Sequence, residues 1–334
     1  MATLADLLRA HTDLRAEDYD HLHALVADWA LLADLSFADL LLLVPVDEAG
    51  GEFLVVAQIR PATGPTAYHN DEVGSVVMDR WVVSACWKER RIVREGEPEW
   101  DRGVPVRVEA IPVRHHDRVI AVLARDTNLA TARSPSPLEL AYLRSAADLA
   151  QMVAEGTFPF HGTTAELTEA PRVGDGMLRL DERGRVVFAS PNALSAYRRL
   201  GYTGNVSGEE LRVVHETLGL GTVGRPVWRA AQRRRPVAVE LTVEGTAVLL
   251  RAIPLLPGRE QGVLVLVRDV SELRRREAQL LTKDATIREI HHRVKNNLQT
   301  VASLPRLQAR RTNNPEGREA LIEAVRRVSS IALV

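Results

Sequence analysis

Apolar positions along this chain follow a mixture of helical and strand periods at first and a strict sevenfold one near the end. From His21 to Leu35, Leu22, Leu25, Trp29 and Leu32 fall at helical spacing and predict one amphipathic helix. The runs DLLLLVPVD and EFLVVAQIR, separated by Glu48-Ala49-Gly50-Gly51, predict a β-hairpin. A stretch holding Trp81, Cys86, Trp87 and Trp100 has no sustained period and reads as irregular. VRVEAIPV and RVIAVLARD, joined by the polar turn His115-His116-Asp117, predict a second hairpin. After Pro135 and Pro137, Leu140, Leu143, Ala147, Ala150 and Ala154 lie three and four apart, the pattern of a closing helix with one buried face.

Residues 156–175 are rich in Gly, Thr and Pro and read as a linker. MLRLDERGRVVFAS then predicts strand, turn and strand, and ALSAYRRL a helix. Both halves close similarly: Ala110-Ile111-Pro112 and Ala252-Ile253-Pro254 are each followed, about fifteen residues on, by an apolar strand ending in Arg-Asp. The expected fold class is therefore α+β, two tandem units of antiparallel sheet with helices. Their expected bounds are 1–155 and 176–270, with a helical segment at 271–334.

In that segment Leu273, Leu280, Ile287, Val294 and Val301 are spaced by seven, with Ile290, Leu298 and Leu304 widening the stripe. Such a repeat predicts a packed seam, most simply against a second copy of the chain through residues 273–334. At about 100° per residue, His291 lies about 60° from Val294, at the seam's edge, and His292 about 160° away, facing water. An outward imidazole is suited to act as a nucleophile at physiological pH. Glu289 and Asn296 flank His292 on nearly the same face, Glu289 placed to orient the ring or take its proton; Arg293 and Lys295 are placed to meet phosphate charge. The competing reading is a solvated helix face that happens to hold histidine, and spacing leaves both open. Pro305 is expected to kink or end this helix. Asn314 and Pro315 read as N-cap and first residue of a second helix, with Leu321, Val325, Val328 and Ala332 as its stripe.

Composition narrows the function classes. Lys and Arg number 43 and Asp and Glu 44, so no net field draws the chain to nucleic acid or an anionic membrane. The arginine triplets 233–235 and 274–276 read as solvated faces. Cys86 is the single cysteine, which excludes an internal disulfide and fits a reducing, cytoplasmic setting. No signal peptide or membrane span is expected. No metal site is expected either: His115, His116 and Asp117 read as a polar turn with diverging side chains, and His21 and His23 are two apart on a helix. Gly219 to Gly224 matches G-x-G-x-x-G without the strand before it and reads as a loop. His215 is a candidate haem ligand without supporting residues.

IREIHHRVKNNLQ, Ile287 to Gln299, resembles the phosphoacceptor box of sensor histidine kinases of the HWE-related class, whose shared core is His-Arg-Val-Lys-Asn. That resemblance implies His292 as the phosphorylated residue. LRLDERGRVVFASPNALSAY resembles the start of a PAS domain, RDVSE at 268–272 resembles its junction to a signalling helix, and the first unit is similar to a GAF domain. The order resembles soluble actinobacterial sensor kinases that signal to RNA-binding antiterminator regulators. It implies a homodimer, a response-regulator receiver domain as partner, and ATP as phosphoryl donor in the full-length enzyme. The ATP-binding domain of such kinases is expected to be missing from these 334 residues. The alternative is a non-catalytic dimeric scaffold or a small-ligand-binding module whose ligand the residues do not name.

Overall fold

Thr3 accepts from the Asp6 amide and Asp6 caps Thr3 in return, so a capping box starts α1 (Leu4–His11). A computed structural model describes residues 3–331 apart from 47–50, 69, 79, 95–96, 102, 131–132, 161–169, 257–261 and 312–314, and omits some further side chains, those of His292 and Lys295 included. The predicted helix over His21 to Leu35 is two: α2 (Ala16–Asp28) and α3 (Ala30–Ser36), broken at Trp29. The stripe Leu22, Leu25, Trp29, Leu32 runs across the break, which hid it. Residues 31–36 of α3 are all buried, so this helix has no wet side.

The first sheet has the order β3-β2-β1-β7-β6-β4, all antiparallel, with β5 also paired to β6. Its strands are β1 (Asp39–Pro45), β2 (Glu52–Ile59), β3 (Val76–Met78), β4 (Val93–Arg94), β5 (Glu99–Asp101), β6 (Val104–His115) and β7 (Arg118–Asn128). Both predicted hairpins form, as β1–β2 and β6–β7. The stretch read as irregular contains β3, β4, β5 and the helix α4 (Trp81–Glu89), whose Val82, Val83 and Cys86 pack on one sheet face. Helices α1 to α3 and the closing helix α5 (Pro137–Glu155) pack on the other face.

The second sheet has the order β10-β11-β12-β8-β9, again antiparallel. It comprises β8 (Met177–Asp181), β9 (Val186–Ala189), β10 (Val237–Val243), β11 (Thr246–Leu255) and β12 (Gly262–Asp269). Strand alternation sends Val263, Val265 and Val267 to one face, against α6 (Pro191–Arg199), α7 (Leu211–Thr217), α8 (Gly221–Trp228) and α9 (Ala230–Arg233). Leu264, Leu266, Ile253, Leu255 and Met177 point the other way and join the core formed by α2, α3, α5 and the first sheet. Two ion pairs cross the same contact: Arg251 to Asp28 at 2.8 Å and Arg179 to Asp148 at 2.7 Å. Within the stretch 156–175, Phe158 and Val173 are buried in this shared core.

The chain divides into two compact units, Met1–Val270 and Ser271–Val334. The second consists of α10 (Ser271–Arg311) and α11 (Pro315–Ile331), packed on each other. Pro305 does not end α10, which continues to Arg311. The proline removes one backbone hydrogen bond, to Val301, while a helix this long keeps its bonds on either side. The proposed cap Asn314 lies outside the described residues. No helix among the described residues is long and apolar enough to cross a membrane.

Candidate functional site

Helix α10 is 41 residues long, about 60 Å at 1.5 Å per residue. Charge pairs one turn apart line its surface: Arg276 with Glu272, Arg274 with Glu277 at 2.8 Å, and Arg293 with Glu289 at 3.0 Å. The arginines at 274 and 276 are thus satisfied along their own helix. Among the described side chains of this unit only Ala309 and Val325 are buried. The sevenfold stripe is not covered by α11: Leu280, Ile287, Val294 and Val301 remain 61%, 52%, 48% and 52% exposed.

Beside that stripe lie the box residues. Glu289, His291, Arg293 and Asn296 are exposed. The Glu289 carboxylate is held by Arg293, so it must leave that partner to orient a neighbouring imidazole. An exposed pair of this kind is worth well under about 1 kcal/mol and exchanges easily. The Asn296 carbonyl accepts from the Thr300 hydroxyl at 3.0 Å. His292 and Lys295 occupy helical backbone positions within α10, and their side chains lie outside the described residues.

Other polar constellations sit in the first unit. His115 is the last residue of β6 and is buried rather than solvated; its Nδ1 is 2.8 Å from Asp18, which Arg118 also contacts at 2.7 Å. The His115 and His116 rings do not diverge, since their centroids are 4.2 Å apart, and His21 stacks on His115 at 4.4 Å. His116 itself sits in the left-handed region of the turn, at positive φ. Burial would raise the Asp18 pKa, but the hydrogen bonds from His115 and the Arg15 amide and the charge of Arg118 outweigh it and hold the carboxyl below its ordinary value. Among the described residues no group of three potential ligands is arranged to hold a metal.

Asp39 and Asp126 are buried register partners on β1 and β7. Asp39 accepts from the Thr66 hydroxyl at 2.7 Å and the Ala67 amide at 2.6 Å, while Asp126 accepts from Tyr68 and from Arg80 at 2.6 Å. Two carboxylates thereby strap the segment between β2 and α4 onto the sheet. Burial pushes the Asp39 pKa up, and its neighbour Asp126 adds to that. Isolated aspartates at the ends of apolar strands were the available signal for this network.

His215 is fully buried on α7, its Nε2 2.9 Å from the Tyr197 hydroxyl and its ring stacked on Tyr197. Burial pulls its pKa down to about 4. Gly224 presses on the ring so closely that an added Cβ would overlap Nδ1. That packing leaves no axial space for a haem iron, so His215 is a core histidine. Gly221 to Gly224 belong to the first turn of α8 rather than to a loop, and a helix, α7, precedes them.

Residues 4–146 match the family described as "Histidine kinase PdtaS, GAF domain", and residues 289–334 match the family described as "Histidine kinase". The whole chain aligns with Sensor histidine kinase PdtaS of Mycolicibacterium smegmatis at 49% identity, covering 69% of that protein. The chain belongs to the PdtaS family of sensor histidine kinases. The PdtaS of Mycobacterium tuberculosis is 50% identical over the full chain, again with 69% of its own length covered. A solved structure described as the sensor region of a sensor histidine kinase is 41% identical, covers 82% of this chain and all of its own, and superposes with a TM-score of 0.71. PdtaS membership gives the first unit a GAF-type domain and the chain a sensor and phosphoacceptor role in two-component signalling. It also implies ATP use by the full-length protein.

Proposed function

We propose that His292 is the phosphoacceptor and that two chains dimerise through α10 and α11. The observation carrying this reading is the uncovered apolar stripe of α10 beside the exposed Arg293 and Asn296 of the His-Arg-Val-Lys-Asn motif. An apolar ridge of this length left in water calls for a partner, and a second copy supplies the matching sevenfold repeat. Residues 1–155 form the GAF-like sensor, 156–175 the linker and 176–270 a PAS-like sensor, whose sheet order β10-β11-β12-β8-β9 supports that name. Residues 271–334 carry the signalling helix and the phosphotransfer helices.

In the reaction the bond between the β,γ-bridging oxygen of ATP and its γ-phosphorus breaks as an imidazole nitrogen of His292 bonds to that phosphorus, and ADP leaves. Positioning and charge neutralisation supply most of the acceleration. Arg293 and Lys295 face the phosphoryl oxygens, Glu289 leaves Arg293 to hold the ring's other N–H, and Asn296 steadies the incoming group. A receiver-domain aspartate of a cytoplasmic response regulator then takes the phosphoryl group from nitrogen.

The test supplies a separate histidine-kinase ATP-binding domain and radiolabelled ATP to the chain. Wild type and His291→Ala are expected to label and His292→Ala to remain blank; equal labelling of wild type and His292→Ala rejects the assignment. Sedimentation is expected to give a dimer that Val294→Glu with Val301→Glu converts to monomer. A dimer that never labels identifies a scaffold instead.

A further inference from the structure

A cavity of about 760 Å³ opens between α5 and the β8–β9 hairpin, where the first helical layer meets the second sheet. That volume is in the range of sites for small organic molecules. Its lining includes the apolar side chains of Leu140 and Ala141 on α5 and Val187 and Phe188 on β9. It also includes arginines from both sides: Arg144 on α5, Arg179 on β8, and Arg183 and Arg185 in and after the turn.

These four arginines are not equivalent. Arg179 is buried and already held by Asp148 at 2.7 Å and Ser145 at 3.2 Å. Arg185 donates to the Gly208 carbonyl. The side chains of Arg144 and Arg183 make no hydrogen bond or ion pair among the described residues, although they come from different layers and line one space. Of the two carboxylates in the lining, Asp181 is occupied by the amides of Arg183 and Arg185, and Glu182 is exposed. The cavity lining therefore combines an excess of positive charge with apolar side chains.

We propose that this cavity binds an amphipathic organic anion, its carboxylate or phosphate head between Arg144 and Arg183 and its apolar body along Leu140, Val187 and Phe188. A guanidinium meets either head with charge-assisted hydrogen bonds. The site is independent of the assignment of His292. A ligand touching both α5 and the hairpin binds only while the two layers are docked, so it stabilises the docked unit in proportion to its occupancy.

Isothermal titration calorimetry on the full chain, with decanoate, decyl phosphate, decanol and decyltrimethylammonium below their micellar thresholds, tests this. One or both anions are expected to bind with one-to-one stoichiometry, the tighter of them identifying the head group, and the neutral and cationic probes are expected to bind at least tenfold more weakly. Arg144→Ala with Arg183→Ala, both at exposed positions, is expected to weaken the anion about 100-fold, tenfold for each guanidinium removed. The double lysine variant is expected to recover part of that loss. Leu140→Glu is expected to abolish binding, and Arg212→Ala, outside the cavity, to leave it unchanged. Failure of both anions to bind, equal binding of decanol, or undiminished binding by the folded double alanine variant would overturn the proposal.

Discussion

Asp28 is the last residue of α2, where a carboxylate opposes the partial negative charge of the helix end, and Arg251 of β11 reaches it from the second sheet. Arg251 and Asp28 side chains are only 8% and 11% exposed. Both contacts, each 2.8 Å, come from one nitrogen, Nη2, shared between the two carboxylate oxygens. Nε finds no partner among the described residues, so this is a weaker arrangement than a two-nitrogen fork. Asp28→Ala leaves a buried guanidinium uncompensated, for which breaking such a pair costs about 3–5 kcal/mol, here at the lower end. For a unit of this size that corresponds to a fall in Tm of roughly 10 °C. Arg251→Met alone takes one partner from Asp28, a carboxylate with a further interaction of its own, and is expected to cost less. The double variant removes both charges and is expected to lie within about 1 kcal/mol of wild type. Urea and thermal unfolding of the four proteins, followed by circular dichroism, give the coupling energy. A coupling below about 1 kcal/mol, or a double variant as unstable as the sum of the singles, would show that the pair does not hold the two sheets.

Three further outcomes follow from buried groups. His215 titrates at about 4 in the folded chain against an ordinary value of 6.5, so between these pH values the unfolded chain binds more protons and stability falls as pH falls, by about 3 kcal/mol in total; His215→Gln is expected to flatten that acid slope in denaturation curves taken between pH 7 and 4. Gly224→Ala places a methyl into the His215 ring and is expected to cost about 3 kcal/mol in urea unfolding, whereas a loss under 1 kcal/mol would mean the ring has room to move. Cys86 is buried with its thiol pushed up to about 12, chiefly by burial, so iodoacetamide at pH 8 is expected to leave the native chain unmodified and to alkylate it in urea, as read by mass spectrometry.

What the sequence disclosed was whatever repeats locally. Both hairpins of the first sheet follow from pairs of apolar, β-rich runs about a short turn, and the two Ala-Ile-Pro segments lie on β6 and β11, each paired with the next strand. Helix α10 and its histidine-kinase match were legible because sevenfold spacing and a short motif coincide on one helix. Long-range polar pairings left no such trace: Asp18 meets His115 across 97 positions and Asp28 meets Arg251 across 223. Helix α4 was missed because Val82, Val83 and Cys86 form only a short stripe, with β-branched and aromatic residues that favour a helix weakly. The break at Trp29 was invisible because burial continues across it. Pro305 does not end α10, since one lost hydrogen bond is a small fraction of those in a helix of 41 residues.

The face of the second sheet that carries Ile253, Leu255, Leu264 and Leu266 shares its core with helices belonging to the first half. A chimera spliced within residues 156–175, exchanging one half for that of a distant homologue, would therefore confront foreign side chains on that face with α2 and α5. Functional hybrids require the recipient's matching surface, with Asp28 and Asp148, to be transplanted together with the graft.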